Sequence, residues 1–318
     1  MPRPSPWINA LRKIAELRIR EDEPLWRHTS FKIGGPADAL VWADTREQLR
    51  QVVRIAREYR VPFFVLGRGT NVLFDDAGFR GIVLKLSREF EMMQFDGRRV
   101  RAGAAVPMSV FSKECAKRGL SGAEFMFGIP GSLGGGVRMN AGAHGSCFAE
   151  IVQGCEALDW EGTFRWLTRE ELAFAYRSSA LSDFALATEV LFELTASDPE
   201  TVEQKTKALY YQRMASQPLA EPSAGCVFRN PDVGAAGKLI DECGLKGRSC
   251  GGAQVSKKHA NYIVAPEGAT AAEVRRLIAQ IHREVLQARG VWLELEVKIL
   301  GPHGEDLGAQ LLGKGLEG

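Results

Sequence analysis

A glycine-dense stretch in the middle of the chain, GIPGSLGGG at residues 128–136, holds five glycines in nine positions. Ordering so much flexible backbone is entropically unfavourable, so the close approach of a ligand is a reasonable cause. An earlier loop, LGRGTNV at residues 66–72, follows a hydrophobic run and offers consecutive backbone N–H groups that suit phosphate oxygens. Two such loops in one region favour a diphosphate-containing cofactor over a purely architectural role.

The earlier loop is a weak signal by itself. It lacks the third glycine of a dinucleotide fingerprint and the Gly-Lys-Ser/Thr ending of a P-loop. Taken alone, it is explained about as well by a plain tight turn.

Helical and strand patterns alternate around the first loop. The segment at residues 46–60 places its apolar side chains at helical spacing, and the run VPFFVLG that follows is typical of a short buried strand. Another strand-like run, GIVLKL, begins at Gly81, and further helices are predicted at residues 108–118 and 199–214. A helix that leads into a strand indicates an α/β arrangement.

The C-terminal part carries two clear local patterns. Thr270 and Glu273 form a capping box ahead of an apolar stripe, which predicts a helix. The run VWLELEVKI at residues 291–299 alternates as a strand does and puts Glu294 and Glu296 on one face. Two carboxylates on one strand face are either solvated or functional.

Composition narrows the class of protein. The 318 residues are 45% hydrophobic and 25% charged, with a net charge of +2, as in an ordinary globular protein of two or three domains. That charge is too small to indicate a nucleic-acid partner. No apolar run is long enough to span a membrane, and charges interrupt the N-terminus where a signal peptide needs an apolar centre. We therefore expect a cytoplasmic protein.

The six cysteines are scattered and form neither C-x-x-C pairs nor zinc-type combinations with histidine, so no metal site is expected. Most of them should be buried free thiols. Cys226 follows a small, flexible turn and precedes the strand-like Val227 and Phe228. From its position alone it could be a nucleophile, a metal ligand, a proton donor or a buried small hydrophobe.

Other polar residues are ambiguous when taken singly. Arg177, in FAYRSS, could present its planar guanidinium to a carboxylate or could simply lie at a domain seam. The five histidines show no paired spacing and do not suggest a catalytic base. A polar set in the C-terminal part could bind a ligand, although each member is more often a surface residue: Asn230, Lys246, Gln254, Lys257, His259 and Asn261.

Taken together, the motifs of this chain resemble those of the UDP-N-acetylenolpyruvoylglucosamine reductase family of flavoenzymes. The resemblance runs collinearly over about residues 10–300. It is carried by HTSFKIGGPAD (28–38), LGRGTNVLF (66–74), GIPGSLGGGVRMNAGAHG (128–145), FAYRSS (174–179), QPLAEPSAGCVFRNP (217–231), AGKLIDECGLKG (236–247), GGAQVSKKHANYIV (251–264) and LELEV (293–297).

The resemblance implies a mixed α+β and α/β fold. A FAD-binding part of two subdomains, related to the vanillyl-alcohol-oxidase superfamily, would be joined to a C-terminal α/β substrate domain. The expected division of the chain is an N-terminal helical segment at 1–25, the FAD-binding part at 26–196, a substrate-binding domain at 197–300 and a loose tail at 301–318. Within the FAD-binding part, the subdomains are expected at about 26–85 and 86–196.

The resemblance also implies a reaction. NADPH would reduce a non-covalently bound FAD, and the flavin would deliver hydride to the enolpyruvyl double bond of a UDP-sugar. The product would be UDP-N-acetylmuramate for peptidoglycan, which places the chain in cell-wall biogenesis and so in cell shape and division. We expect a monomer with no nucleic-acid partner and no membrane insertion.

Three residues match the family's catalytic positions. Arg177 would be an electrophilic clamp for the enolate-like carboxylate, assisted by Glu296. Because an anionic glutamate would repel the enolate, Glu296 is expected to be protonated or to share a hydrogen. The family places a serine as the acid that protonates C2, and this chain has Cys226. A thiol with a pKa near ~8.5 is mostly protonated at neutral pH and can keep that role.

The neighbouring arginine is expected to lower the pKa of this thiol, so the rate should fall at alkaline pH. The remaining site residues also follow from the resemblance. The cofactor is expected to contact Gly67, Arg68, Gly69, Thr70, Asn71, Gly131, Ser132, Gly142, Ala143 and Arg213. The substrate is expected to contact Asn230, Lys246, Gln254 and Asn261.

The chain departs from the family pattern elsewhere. The segment between Arg177 and Cys226 is filled by a predicted strand, a helix and a linker, so this is the form without the inserted tyrosine loop. Arg138 and His144 stand where the family often has tyrosine. Two other functions remain open: an oxidase of the same superfamily with FAD linked to His28 or His144, and a nucleotide-sugar sensor without turnover.

Overall fold

The computed structural model describes residues 5–313, and these fall into two compact units. Unit 1 comprises residues 5–20, 39–68 and 82–213. Unit 2 comprises residues 21–38, 69–81 and 214–313. Neither unit is one continuous stretch of chain.

The helices, in chain order, are α1 (Pro6–Arg12), α2 (Arg46–Glu58), α3 (Met108–Lys117), α4 (Leu133–Arg138), α5 (Phe148–Ile151), α6 (Pro199–Ser216), α7 (Ala236–Glu242), α8 (Ala271–Arg289) and α9 (Leu307–Leu311). The strands are β1 (Arg18–Pro24), β2 (Pro36–Ala43), β3 (Phe63–Val65), β4 (Val72–Phe74), β5 (Phe79–Leu86), β6 (Met93–Asp96), β7 (Arg99–Gly103), β8 (Leu120–Ser121), β9 (Gly142–Ala143), β10 (Ser146–Cys147), β11 (Val152–Leu158), β12 (Phe164–Thr168), β13 (Leu186–Glu193), β14 (Thr195–Ala196), β15 (Ser223–Cys226), β16 (Ser249–Cys250), β17 (Ala253–Val255), β18 (Tyr262–Val264) and β19 (Lys298–Leu300).

A four-stranded sheet of order β1-β2-β5-β3 contributes to unit 1. Strand β3 pairs in parallel with β5. Helix α2 begins where Thr45 accepts a hydrogen bond from the Gln48 N–H, and it buries the predicted apolar stripe that includes Leu49, Val52 and Val53. The predicted helix and the two strands on either side of the first glycine loop are therefore confirmed.

A five-stranded antiparallel sheet of order β12-β11-β13-β7-β6 also lies in unit 1. Its core is aromatic: the ring of Phe192 lies 4.4 Å from that of Phe111 and 6.0 Å from that of Phe148, between centroids. All three side chains are fully buried. The second glycine stretch packs on this core, because a Cβ on Gly136 would overlap the Phe148 ring.

An ion pair joins α2 to strand β11 within unit 1. The Arg46 guanidinium donates to both oxygens of Glu156, at 2.6 and 2.7 Å, and the Thr188 hydroxyl donates to the same carboxylate at 2.7 Å. Burial by itself would raise the pKa of Glu156, but these hydrogen bonds outweigh it and hold the pKa below its usual range.

Unit 2 contains a four-stranded sheet of order β15-β18-β17-β16 and the parallel pair β19-β4. Helix α8 packs its apolar stripe on this sheet, with Leu277, Ile278 and Ile281 buried in the core. The predicted capping box of Thr270 and Glu273 is present at its start.

The start of α8 has an additional cap from a distant segment. Asp76, just after β4, accepts hydrogen bonds from the N–H groups of Ala271 at 2.7 Å and Ala272 at 3.0 Å. A carboxylate there also interacts favourably with the positive end of the helix dipole.

The predicted strand at 291–299 is wrong for most of its length. Only Lys298–Leu300 forms a regular strand, and Leu295 makes an isolated bridge with Phe228. The N–H groups of Glu296 and Val297 both point to one carbonyl, that of Val227, so no regular ladder can form. The alternating burial survives, because Leu293, Val297 and Ile299 are buried.

The expected loose tail is also wrong where the structure describes it. Residues 301–313 include α9, whose start is capped by Asp306 accepting from the Gly308 N–H at 2.9 Å. Leu307, Leu311 and Leu312 pack against the core of unit 2. Apolar residues spaced along a short helix account for this order. Residues 314–318 lie outside the described part of the chain.

At the other end, the expected helical segment at 1–25 is helical only over Pro6–Arg12, and Arg18–Pro24 is a strand. Residues 1–4 lie outside the description. Segments 21–38 and 69–81 belong to unit 2, whereas the sequence predicted that residues 26–85 form one subdomain. The finer boundaries near 86 and 197 stay predictions.

Within residues 5–313, no helix has the length and apolarity that crossing a membrane requires.

Asp76→Ala should destabilise the protein by about 1–2 kcal/mol, because two N–H groups of α8 lose their acceptor. Urea unfolding followed by circular dichroism measures this loss. Asp232→Ala, which removes an exposed carboxylate, is the control and should change stability by less than about 0.5 kcal/mol. Equal effects of the two substitutions would contradict the capping role.

Glu156→Gln should destabilise the protein at neutral pH, and the difference from wild type should shrink under acid. The folded pKa of Glu156 lies below its ordinary value of 4.5, so its contribution is complete above that value and is lost as pH falls through the lower one. Unfolding free energies measured from pH 7 to pH 3 test this. Glu161→Gln, at an exposed ion pair, should show little such dependence.

Candidate active site

The two glycine loops meet within unit 1. Strand β3 leads into Leu66, whose N–H donates to the carbonyl of Leu84 at 2.8 Å, and the chain then turns at Gly67. A Cβ on Gly67 would lie 2.7 Å from the Ser132 hydroxyl oxygen of the second loop. A side chain at position 67 would displace the Ser132 hydroxyl, so glycine lets this hydroxyl lie against the first loop.

The second loop is fixed by backbone hydrogen bonds to the segment before α3. The carbonyl of Gly131 accepts from the Met108 N–H, and the Leu133 N–H donates to the carbonyl of Val106, both at 2.9 Å. Further on, Gly142 and Ala143 form the short hairpin of β9 with β10. The predicted cofactor residues of this loop therefore lie on a backbone with a defined conformation.

The first loop carries positive charge. Arg68 is exposed, and Lys85 on the adjacent β5 is half-buried. Burial and the nearby charge of Arg68 lower the pKa of Lys85. Two cations at a loop with accessible backbone suit an anionic diphosphate. Sequence reasoning missed Lys85, and the available signal was a lysine inside the otherwise apolar run GIVLKL.

Arg213 on α6 lies against the second loop. A Cβ on Gly128 would be 2.6 Å from the Arg213 Cδ atom, and the ring of Tyr210 lies 5.3 Å from that of Phe127. The arginine stem thus packs on the start of the glycine-dense stretch. Arg213 is the one residue of α6 that the resemblance puts among the expected cofactor contacts.

Arg177 lies at the tip of a tight turn in unit 1. Ala175 and Ser178 exchange two backbone hydrogen bonds, at 3.1 and 3.2 Å, around Tyr176 and Arg177. Arg177 has a φ of +57°, a left-handed conformation that is unfavourable for a residue with a side chain. Such strain is typical of functional positions. Asn140 of the second loop donates to the Ala175 carbonyl at 3.0 Å and anchors the turn.

Cys226 and Glu296 are brought together in unit 2. Cys226 ends β15, and the carbonyl of the next residue, Val227, accepts from the Glu296 N–H at 2.8 Å. Phe228 and Leu295 form the adjoining antiparallel bridge. The two predicted catalytic residues are far apart in sequence, yet their backbones lie on neighbouring segments.

A bulge precedes Cys226. Strand β15 pairs with β18 at Ser223 and again at Cys226, with an irregularity between, where Gly225 has a φ of +78°. This glycine permits the left-handed conformation that turns the strand before the cysteine. The hydroxyl of Ser30 donates to the Ser223 carbonyl at 2.7 Å and holds the start of the strand.

The first glycine loop contributes residues to both units. Gly67 and Arg68 belong to unit 1, whereas Gly69, Thr70 and Asn71 belong to unit 2. The Asn71 side-chain amide donates to the Glu296 carbonyl at 3.1 Å. The structure therefore places this predicted cofactor residue beside a predicted catalytic one.

The predicted substrate residues all lie in unit 2, and their side chains have protein partners. Asn230 accepts from the Ala236 N–H at 3.0 Å, and the Lys246 ammonium lies 2.7 Å from Asp241. Gln254 donates to the Ser249 hydroxyl at 3.0 Å.

Asn261 differs from the others because it is buried. Its side-chain oxygen accepts from the Phe228 N–H at 2.9 Å and its nitrogen donates to the Phe228 carbonyl at 2.8 Å. This geometry favours a structural role beside Cys226, and the predicted substrate contact of Asn261 stays a prediction.

Over residues 5–313, no three or more His, Cys, Asp or Glu side chains form a group that could hold a metal ion.

Two family models match the chain. Residues 37–168 match the FAD binding domain, and residues 217–300 match the UDP-N-acetylenolpyruvoylglucosamine reductase, C-terminal domain. These matches confirm the predicted combination of a FAD-binding part and a C-terminal domain.

Whole-chain relatives agree. The chain is 43% identical over 300 residues to UDP-N-acetylenolpyruvoylglucosamine reductase 2 of Symbiobacterium thermophilum, covering 93% of this chain and 97% of that protein. It is 43% identical over 299 residues to the reductase of Heliobacterium modesticaldum, covering 93% and 94%.

A solved structure extends the likeness to the fold. The crystal structure of UDP-N-acetylenolpyruvylglucosamine reductase from Thermus caldophilus matches with a TM-score of 0.75 and 33% identity, covering 89% of this chain and 98% of that one. Identity of 43% over nearly the whole chain, together with the matches to both family models, shows that this chain belongs to the UDP-N-acetylenolpyruvoylglucosamine reductase family.

Proposed function

We propose that this chain reduces the enolpyruvyl group of UDP-N-acetylglucosamine enolpyruvate with electrons from NADPH, giving the lactyl ether of UDP-N-acetylmuramate for peptidoglycan. The observation that carries the proposal is the juxtaposition of Cys226 and Glu296 through the Val227 carbonyl. An acid and a carboxyl on adjoining segments suit the protonation that must follow hydride transfer.

The residues present fit FAD. The Ser132 hydroxyl lies against Gly67 where the two glycine loops meet, and Arg68 and Lys85 supply positive charge for a diphosphate. Together with Gly131 and the β9–β10 hairpin, they would hold the cofactor. When bound, the flavin supplies a hydride, taken from NADPH, to C3 of the enolpyruvyl group.

Arg177 would orient the substrate carboxylate and stabilise the negative charge that develops as hydride adds to C3. A guanidinium presents a planar, permanently charged fork that matches a carboxylate. The tight turn at Ala175–Ser178, anchored by Asn140, limits the freedom of the arginine backbone. Preorganised charge of this kind stabilises a transition state with little reorganisation.

Cys226 would donate the proton that C2 requires, and the two additions together saturate the double bond. The sulfur releases a proton more readily than a serine hydroxyl, so cysteine can serve where the family has serine. Glu296 would act through a shared hydrogen near the developing charge, since two adjacent anions repel. Deprotonated Cys226 must then regain a proton before the next turnover.

The binding partners follow from the same assignment. The UDP-sugar would contact Asn230, Lys246, Gln254 and Asn261 in unit 2, and the chain would act as a cytoplasmic monomer. Support for the location comes from the water-soluble nature of both proposed co-substrates. The relatives described above are named as reductases, so neither an oxidase nor a sensor is favoured.

The purified protein should be yellow and should consume NADPH continuously only when the enolpyruvyl UDP-sugar is present to reoxidise the flavin. Absorbance of the flavin and of NADPH at their respective maxima measures both properties. UDP-N-acetylglucosamine, which lacks the enolpyruvyl double bond, is the matched control and should give no turnover. A protein that stays colourless after incubation with FAD would overturn the proposal.

Cys226→Ala should leave flavin reduction by NADPH within about twofold of wild type but slow reoxidation by the UDP-sugar by about 10²-fold or more. Cys226→Ser should largely preserve both half-reactions, because it restores a proton donor. Stopped-flow flavin absorbance separates the two steps.

The control for this experiment is Cys250→Ala, which removes another half-buried thiol of unit 2 and should change neither step. If Cys226→Ala reoxidises as fast as wild type, the cysteine has no part in the protonation.

A further inference from the structure

Asn71 contacts the segment of Glu296 at two points. Its side-chain nitrogen donates to the Glu296 carbonyl at 3.1 Å, and its backbone carbonyl accepts from the Lys298 N–H at 3.1 Å. The following strand, β4, then continues the contact by pairing in parallel with β19. Asn71 thus joins the first glycine loop to the segment that carries Glu296.

Both backbone polar groups of Glu296 are engaged by other segments. Its N–H donates to the Val227 carbonyl at 2.8 Å, and its carbonyl accepts from Asn71. The first bond orients Glu296 toward the Cys226 strand, and the second ties it to the glycine loop. These two bonds define the position from which the carboxyl side chain projects.

These bonds matter because the Glu296 segment has no regular ladder. Residues 291–297 lack strand structure except for the isolated bridge at Leu295, and β19 starts only at Lys298. In a regular strand, neighbouring ladder bonds would hold a residue even if one bond were lost. Here the Asn71 side chain supplies one of the bonds that hold the Glu296 backbone, so its loss weakens that anchoring.

We infer that Asn71 is a positioning residue for Glu296, and that it sets the carboxyl for protonation of the substrate rather than serving only the cofactor. The inference rests on the proposed function, in which Glu296 acts in the second half-reaction. An amide suits this position, because its N–H group can donate to a carbonyl. The carboxylate of an aspartate has the same shape but would face that carbonyl with a second acceptor.

Asn71→Ala and Asn71→Asp test the inference in the FAD-loaded enzyme and in protein stripped of FAD. Both should slow reoxidation of the flavin by the enolpyruvyl UDP-sugar by about tenfold or more. Reduction by NADPH and the Kd for FAD should change less than reoxidation does, because the loop backbone that would hold the cofactor is unchanged. Thermal unfolding verifies that each variant is folded, and the isosteric aspartate serves if the alanine variant is not.

Arg68→Ala is the comparator from the same loop. It removes a charge that would face the cofactor, so it should weaken FAD binding while reoxidation of the loaded enzyme changes less. If Asn71→Ala instead raises the Kd for FAD by tenfold and slows both half-reactions alike, Asn71 is a cofactor residue and the inference fails.

A double-mutant cycle with Glu296→Gln gives the sharpest result. If Asn71 acts through Glu296, then Asn71→Ala should slow reoxidation much less in the Glu296→Gln background than in wild type. Fully additive losses would overturn the inference. Failure of the proposed function is distinguishable, because wild-type enzyme would then not be reoxidised by the UDP-sugar at all, and the role for Asn71 would fall with it.

Discussion

The parallel pairing of β4 with β19 is the interaction on which the architecture of unit 2 depends. Val72–Phe74 lie beside Lys298–Leu300, so the chain that leaves the first glycine loop is joined to a segment more than two hundred residues later. Asp76 then caps α8, and Arg275 on that helix forms an ion pair with Asp75 at 3.2 Å. A strand pairing, a helix cap and an ion pair thus hold residues 72–76 against the C-terminal core. Glu296 lies two residues before the paired strand β19.

Local structure was largely predictable from the sequence where one element carries its own signal. Helix α2 follows from its apolar spacing, and the start of α8 follows from the Thr270 capping box. The prediction of a strand at 291–299 was wrong for most of its length. Alternation of apolar residues indicates which side chains are buried, but it does not indicate which neighbouring segment supplies the backbone hydrogen bonds. The prediction of a loose tail after residue 300 was wrong because a five-residue helix is too short to show a clear helical spacing of apolar residues in the sequence.

The resemblance proposed the residues of the candidate site, which stay predictions, but it did not give the contacts among them. Resemblance to the family identified Cys226 and Glu296, but their connection through Val227 depends on pairing between distant segments. Lys85 and the contact of Asn71 with Glu296 were missed for the same reason, since each depends on a neighbour that sequence spacing does not reveal. Long-range contacts of this kind are set by the tertiary fold, which local propensity does not encode.

The left-handed backbone at Arg177 sets the stability of the turn against the chemistry proposed for this side chain. The turn from Ala175 to Ser178 would be satisfied best by glycine, which adopts a positive φ without strain. A population of chains selected only for folding would therefore drift toward glycine at this position, while selection for reduction of a carboxylate-bearing substrate would retain arginine. The residue found at this turn therefore indicates whether selection for stability or selection for activity has dominated there.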